Sequence, residues 1–185
     1  MNRRRFLNRL SVFGLFLWFA KPSAALGGPN LNPGSQAPPF RLQGTTRGSK
    51  QPREWTLADL RGRWIVLYFY PRDFTSGCTI EAHGFQAMNQ QFENIGASVV
   101  GISADAVEDH ASFCSSEELD FLLLSDVGGS VSKAYGSWMA PYSLRHTFLI
   151  DPEGLIQREW RGVRPTGHAR EVFDTLQMLQ SEASV

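Results

Sequence analysis

The sequence contains only two cysteines among its 185 residues, Cys78 and Cys114, and they do not form a C-x-x-C pair. The absence of that pair argues against a thiol–disulfide oxidoreductase, whose chemistry needs it. A copper-carrying module would need a second cysteine close to the first, which is also missing. The four histidines are scattered and no pair of them has ligand spacing beside a cysteine or an acid cluster. We therefore predict no metal and no cofactor.

The sequence has no net charge, with 18 basic and 18 acidic residues. The balance is uneven, because residues 1–25 contain five basic residues and no acidic one, which leaves 13 basic against 18 acidic residues in the remainder. A mildly acidic body argues against nucleic acid as a partner. No internal repeat is visible, and 185 residues with 42% hydrophobic content are enough for one domain with a core.

The N-terminal part lacks an apolar run long enough to cross a bilayer. Residues 10–20 provide eleven uncharged positions, whereas about 20 are required. The basic segment before this run (NRRRFLNR) and the small residues Ser23 and Ala25 after it predict an export signal over residues 1–25, and Arg3-Arg4 resembles the twin-arginine type. Cleavage would leave an exported protein, in a periplasm or thylakoid lumen, without stable membrane association. An uncleaved signal anchor is the alternative.

Strand and helix patterns alternate along the chain after a Gly- and Pro-rich segment at residues 26–49, which is interpreted as a linker and an extended N-terminal segment. The patterns predict strands at 64–70, 97–103, 121–124, 146–150 and 155–160, and helices at 78–95, 107–118, 131–135 and 166–179. Residues 151–154 (DPEG) predict a hairpin turn, and Thr166 is the expected N-cap of the last helix. This alternation, ending in β-β-α, predicts an α/β domain over residues 33–180 with a thioredoxin-like fold, in which helices flank a central mixed β-sheet.

Cys78 lies where the first of these strands is followed by a helix, in the string YPRDFTSGCT. A sulfur in a first helical turn faces unpaired backbone N–H groups and the positive end of the helix dipole, which favour a thiolate over a thiol. One buried helix face is predicted from the spacing of Cys78, Ala82, Phe85, Met88, Phe92 and Ile95. Cys78 is therefore expected to be half covered, either as a reactive nucleophile or as an inert small core residue.

The segment LYFYPRDFTSGCTIEA (residues 67–82) resembles the active-site signature of the peroxiredoxins, in particular the bacterioferritin comigratory protein or Q-type subfamily. Pro71, Thr75 and Cys78 stand at the spacing of that family, and the later segment RHTFLID (residues 145–151) agrees with it. The resemblance implies a thiol-dependent peroxidase that reduces hydrogen peroxide and organic hydroperoxides and serves antioxidant defence.

The resemblance also implies a role for each matching residue. Cys78 would be the peroxidatic cysteine, which is oxidised to a sulfenic acid. Thr75 would place its hydroxyl against the sulfur and the peroxide, Arg145 would donate to both, and Pro71 would shield the sulfur from water. The residues alone leave ordinary alternatives open: a cap or turn hydroxyl for Thr75, a solvated surface group for Arg145 and a strand terminator for Pro71.

Many Q-type relatives carry a resolving cysteine five residues after the first, where this chain has His83. Cys114 is then the candidate resolving residue, which would form an intramolecular disulfide with Cys78 that thioredoxin or a similar dithiol reduces. Val107, Ala111 and Cys114 share one predicted helix face, so core packing of Cys114 is the alternative. That alternative leaves a one-cysteine peroxidase that uses an external thiol, and a non-enzymatic peroxide sensor is also compatible with the sequence. The resemblance implies a monomer.

Overall fold

The computed structural model describes residues 31–182, so the predicted export signal over residues 1–25 lies outside the described residues. Within that range the strands are β1 (Arg41–Thr45), β2 (Arg53–Thr56), β3 (Trp64–Phe69), β4 (Ala97–Ser103), β5 (Leu122–Ser125), β6 (Trp138–Met139), β7 (Tyr142–Ser143), β8 (His146–Ile150) and β9 (Ile156–Arg161). The helices are α1 (Ser76–Asn94), α2 (Val107–Ser116), α3 (Ser130–Ala134) and α4 (His168–Glu182), with a 3-10 turn at Leu57–Leu60. None of these helices is long and apolar enough to cross a membrane.

A mixed sheet of seven strands lies at the centre, in the order β2-β1-β5-β4-β3-β8-β9. β3, β4 and β5 are parallel, because α1 and α2 carry the chain back to the same edge before each new strand begins. β1, β2, β8 and β9 run antiparallel to their neighbours. This arrangement confirms the predicted α/β fold with a central mixed sheet flanked by helices.

The side chains of β3 alternate between two hydrophobic cores, because successive residues of a strand point to opposite faces of the sheet. Val66 and Tyr68 belong to one core, which also contains residues of α1, α2 and α4. Ile65 and Leu67 belong to the other, with residues of α3 and of the 3-10 turn. Since both faces are covered, β3 is an unbroken apolar run (WIVLYF) rather than an alternating one.

The predicted elements are present, with ends shifted by up to three residues. The hairpin turn at residues 151–154 is confirmed, because the Asp151 carboxylate accepts hydrogen bonds from the backbone N–H groups of Glu153 and Leu155. The predicted N-cap of the last helix was wrong. That helix begins at His168 and the carbonyl of Gly167, not of Thr166, accepts the first helical hydrogen bond from the N–H of Glu171.

Four short strands, β1, β2, β6 and β7, were not predicted. β1 lies within residues 26–49, and Ala37 and Phe40 of the same segment are buried in the core. β1 and β2 are largely polar, and β2 forms one edge of the sheet, so neither carries a strong apolar alternation. β6 and β7 have two residues each, which is too short for any period to be read.

The buried face of α1 matches the prediction, but that of α2 does not. Val107, Ala111 and Cys114 were expected to share the α2 face, whereas Ala111 is exposed. His110 and Phe113 are buried beside Cys114 instead. The buried face of α2 was predicted wrongly because one of its core positions is a histidine, which does not count as apolar in a hydrophobic pattern.

Candidate active site

Cys78 is the third residue of α1 and is only 2% exposed. Thr75 is the N-cap, and its carbonyl accepts a helical hydrogen bond from the N–H of Thr79 at 2.9 Å. The sulfur therefore lies in the first turn, beside the N–H groups that precede the regular helical pattern. The first turn of α1, as the structure describes it, contains no acidic side chain that would offset the positive end of the helix dipole. Cys78 is more deeply covered than the predicted half burial.

Arg145 supplies part of that cover, because its guanidinium lies directly on the sulfur. The distance from Arg145 Nη2 to Cys78 Sγ is 3.3 Å. Nη1 of the same guanidinium forms an ion pair with Glu81, about one helical turn after Cys78. The Arg145 side chain is only 16% exposed. It is therefore not a solvated surface arginine, which was the alternative left open by the sequence.

The sheet explains why residues 67 positions apart meet. β3 and β8 are antiparallel neighbours, with Phe69 at the end of β3 opposite His146 at the start of β8. The chain leaves β3 towards Cys78 and enters β8 from Arg145, so both residues emerge at one edge of the sheet. The hydrogen bond from the N–H of Val163 to the carbonyl of Arg145, at 2.9 Å, fixes the arginine backbone in place.

Glu81 is a site residue that the sequence reasoning missed. It is 1% exposed, and burial raises the pKa of its carboxyl to about 7, although the neighbouring Arg145 lowers it. Its Oε1 has no hydrogen-bond partner among the described residues. A glutamate on a buried helix face is not detected by a hydrophobic pattern. The sequence feature that could have indicated Glu81 is its position three residues after Cys78, on the same side of the helix.

Thr75 and Pro71 both lie in residues 70–75, which join β3 to α1 and which we name the cysteine loop. The Thr75 hydroxyl donates to the backbone carbonyl of Arg72 at 3.0 Å and makes no cap hydrogen bond. Because its proton is committed to that carbonyl, the oxygen presents only lone pairs to other groups. Pro71 is half-buried, two residues after the end of β3.

Cys114 lies in α2 and is completely buried. Burial raises the pKa of its thiol to about 12. Both cysteines are free thiols, and both belong to the core formed with α1, α2 and α4. His83, at the position where many Q-type relatives have a cysteine, lies on the more exposed side of α1, with Nε2 2.9 Å from a carboxylate oxygen of Glu117.

One histidine, His110, lies beside two acidic side chains in the structure. Possible ligand atoms of His110, Asp73 and Asp105 all lie within 4.8 Å of one another. His110 Nδ1 is 2.7 Å from Asp73, a contact between residues 37 positions apart that no local pattern reveals. The absence of a bound metal stays a prediction.

Comparisons with known proteins show which family this chain resembles. The AhpC/TSA family model matches residues 33–159, which include Cys78 and Arg145. The chain is 36% identical over 157 residues to peroxiredoxin Bcp of Bacillus subtilis (strain 168), covering 80% of this chain and 97% of that protein. It is 36% identical over 174 residues to a chloroplastic peroxiredoxin Q of Sedum lineare, covering 88% of each. A crystal structure of a Xylella fastidiosa PrxQ mutant has a TM-score of 0.74 and 35% identity, covering 83% of this chain and 99% of the other.

Proposed function

This chain belongs to the AhpC/TSA family and is a thiol peroxidase of the peroxiredoxin class, and we propose that Cys78 is its peroxidatic cysteine. The observation that carries the proposal is the 3.3 Å contact between Cys78 Sγ and Arg145 Nη2 at the first turn of α1. A guanidinium against a sulfur stabilises the thiolate and keeps further N–H donors for an incoming peroxide. The proposed substrates are hydrogen peroxide and organic hydroperoxides.

In the proposed reaction the Cys78 thiolate attacks one peroxide oxygen and the O–O bond breaks. The sulfur becomes a sulfenic acid, and the other oxygen leaves as alkoxide or hydroxide and takes up a proton to give an alcohol or water. Negative charge moves from sulfur to the leaving oxygen, so donors fixed near both are the most effective. Arg145 would supply those donors. Thr75 would accept the hydroxyl hydrogen of the peroxide through its free lone pairs, and Pro71 would limit access of water.

The second proposed step uses Cys114. Its thiol condenses with the Cys78 sulfenic acid, which forms the disulfide and releases one water molecule. Both sulfurs are buried and free in the reduced protein, and we propose that the first turn of α1 opens to bring them within bonding distance. Thioredoxin or a similar dithiol would then reduce the disulfide and complete the cycle.

A peroxide titration of three reduced proteins tests both steps: the natural protein, Cys78→Ser and Cys114→Ser. We expect the natural protein to consume peroxide and to give a Cys78–Cys114 disulfide by peptide mass spectrometry. Cys78→Ser should consume none, and Cys114→Ser should accumulate a Cys78 sulfenic acid. Consumption by Cys78→Ser at the natural rate would refute the role of Cys78. A lasting sulfenic acid or an intermolecular dimer in the natural protein would refute only the role of Cys114.

The burial of Cys114 and its raised thiol pKa favour a second candidate, a one-cysteine peroxidase that an external thiol reduces. In a one-cysteine peroxidase, unlike the two-cysteine one, the Cys114→Ser variant supplied with an external thiol would reduce peroxide as fast as the natural protein. A non-enzymatic sensor would be oxidised once and would show no continued peroxide consumption with a thioredoxin system.

We further propose that the protein is exported and acts as a monomer, without nucleic acid or membrane partners. The support for export is the basic and then apolar pattern of residues 1–25. Fractionation of cells that express the full chain, beside an Arg3→Lys and Arg4→Lys double variant, tests the export route. Sedimentation of the mature protein in both redox states tests the monomer.

A further inference from the structure

A buried hydrogen-bonded network joins the cysteine loop to α2. His110 in α2 is completely buried, and its Nδ1 lies 2.7 Å from Oδ2 of Asp73 in the loop. His110 Nε2 lies 3.2 Å from the backbone carbonyl of Leu124 in β5. The hydroxyl of Tyr70 donates to Oδ1 of Asp73 at 2.7 Å. Every polar side-chain atom of Asp73 and His110 therefore has a protein partner.

These partners determine where the hydrogens lie. The carbonyl of Leu124 can only accept, so His110 Nε2 carries a hydrogen. A second proton must lie between His110 Nδ1 and Asp73 Oδ2, since two facing lone pairs at 2.7 Å would repel each other. The atoms that a metal would need are thus already used, and the network is better explained as a contact between two segments than as a metal site. Separating the pair would leave both groups unsatisfied in the core, which is strongly unfavourable.

Two further contacts hold the same loop in place. Asp105, just before α2, accepts a hydrogen bond from the backbone N–H of Asp73 at 3.0 Å. Phe74 packs edge to face against Phe113 of α2, with ring centroids 5.1 Å apart. Phe74 also has a φ of +59°, a backbone conformation that is rare outside glycine and persists only where its surroundings impose it. The loop is therefore held in a conformation that it would leave if released.

We infer that the Asp73–His110 pair is a latch that holds the cysteine loop on α2 and controls how readily the first turn of α1 opens. Asp73 precedes Cys78 by five residues. His110 precedes Cys114 by four residues, about one helical turn, on the same buried face. The latch thus joins the two segments that carry the thiols. Asp73 and His110 act through the loop, so they are positioning residues.

Hydrogen–deuterium exchange of the reduced protein, read by mass spectrometry, tests the latch directly. In Asp73→Ala and in His110→Ala we expect the amides of residues 71–80 and 107–114 to exchange at least about tenfold faster, because one partner of the pair is lost. Asp73→Asn should stay within about threefold of the natural rate. Its amide can donate to the imidazole and its carbonyl can accept from Tyr70, so both contacts survive without a charge.

His83→Ala is the matched control. His83 in α1 also pairs with a carboxylate, that of Glu117 just after α2, but the His83 side chain is 53% exposed. Its loss should therefore leave the exchange rates within about twofold of those of the natural protein. Unchanged exchange in both alanine variants would overturn the latch. Exchange that accelerates as much in α4 and β8 as in residues 71–80 and 107–114 would also overturn it, because it would indicate a general loss of stability. Tyr70→Phe removes one donor to Asp73 and, if an alanine variant does not fold, should give an intermediate acceleration of the same two segments.

The consequence for catalysis rests on the proposed resolving role of Cys114. A second peroxide converts the Cys78 sulfenic acid to a sulfinic acid and releases water or an alcohol, in competition with disulfide formation. An opened latch should therefore give faster disulfide formation and, at the same peroxide dose, several-fold less sulfinic acid by intact mass. If the natural protein forms no disulfide, the role of Cys114 is wrong, and the exchange experiment still decides the latch. Equal sulfinic acid in the alanine variants and in a disulfide-forming natural protein would refute the catalytic consequence.

Discussion

At the residue scale, the contact between Cys78 and Arg145 matters for more than ionisation of the sulfur. A free cysteine with a pKa of about 8.5 is roughly 3% thiolate at pH 7, so complete ionisation gains only about 30-fold, near 2 kcal/mol. A less basic thiolate is also a weaker nucleophile. We therefore expect most of the acceleration to come from donors aimed at the breaking O–O bond.

Replacement of Arg145 separates these two effects. We expect Arg145→Ala to slow peroxide reduction by about 10²- to 10³-fold, because a fixed donor to the transition state is lost. Stopped-flow oxidation gives the rate, and thiolate absorbance in the ultraviolet gives the ionised fraction. Arg158→Ala, an exposed arginine of β9, is the control. Equal losses in rate and in thiolate fraction would contradict the donor role.

At the element scale, α1 offers a matched pair of glycines. A Cβ at Gly77 would lie 3.2 Å from Arg145 Nη2, tight enough to displace the guanidinium, whereas a Cβ at Gly84 would lie 3.7 Å from the Cβ of Ala169, an ordinary contact. We expect Gly77→Ala to slow peroxide reduction about tenfold without lowering the melting temperature. Gly84→Ala should keep the rate and stabilise the protein by about 0.5–1 kcal/mol. An unchanged rate in Gly77→Ala would show that the arginine has room to adjust.

The elements also show what the sequence could predict. The strands at 97–103 and 146–150 and the buried face of α1 follow from local periodicity, and the position of Cys78 at a helix start follows with them. The pairings of Arg145 with Glu81 and of Asp73 with His110 depend on which strands become neighbours. Buried polar residues interrupt a hydrophobic pattern, so Glu81 and His110 were missed, whereas the family resemblance named Arg145 without giving its distance from the sulfur.

At the scale of the whole molecule, a buried carboxyl makes stability depend on pH. Burial raises the pKa of Glu81 from 4.5 to about 7, so the folded protein holds a proton that the unfolded chain releases between those values. The resulting stabilisation is fully present below about pH 4.5 and is lost as the pH rises through about 7. Relative to Glu81→Gln, the natural protein should therefore lose about 3 kcal/mol of unfolding free energy between pH 4.5 and 8.

Denaturant unfolding of both proteins at the two pH values measures that difference. Glu153→Gln is the control, because Glu153 is exposed and its replacement should change stability little at either pH. A difference between the natural protein and Glu81→Gln that is the same at both pH values would mean that folding does not raise the pKa of Glu81.

The deep burial of Cys114 bears on which of the two thiols reacts first in the proposed cycle. With a thiol pKa of about 12, this sulfur is protonated at neutral pH, and a protonated thiol is a poor target for peroxide. In the proposed cycle Cys78 is therefore the sulfur that meets the oxidant, and the Cys114 thiol takes part only in the condensation that follows. The closed core keeps the Cys114 thiol unreacted until the protein itself opens.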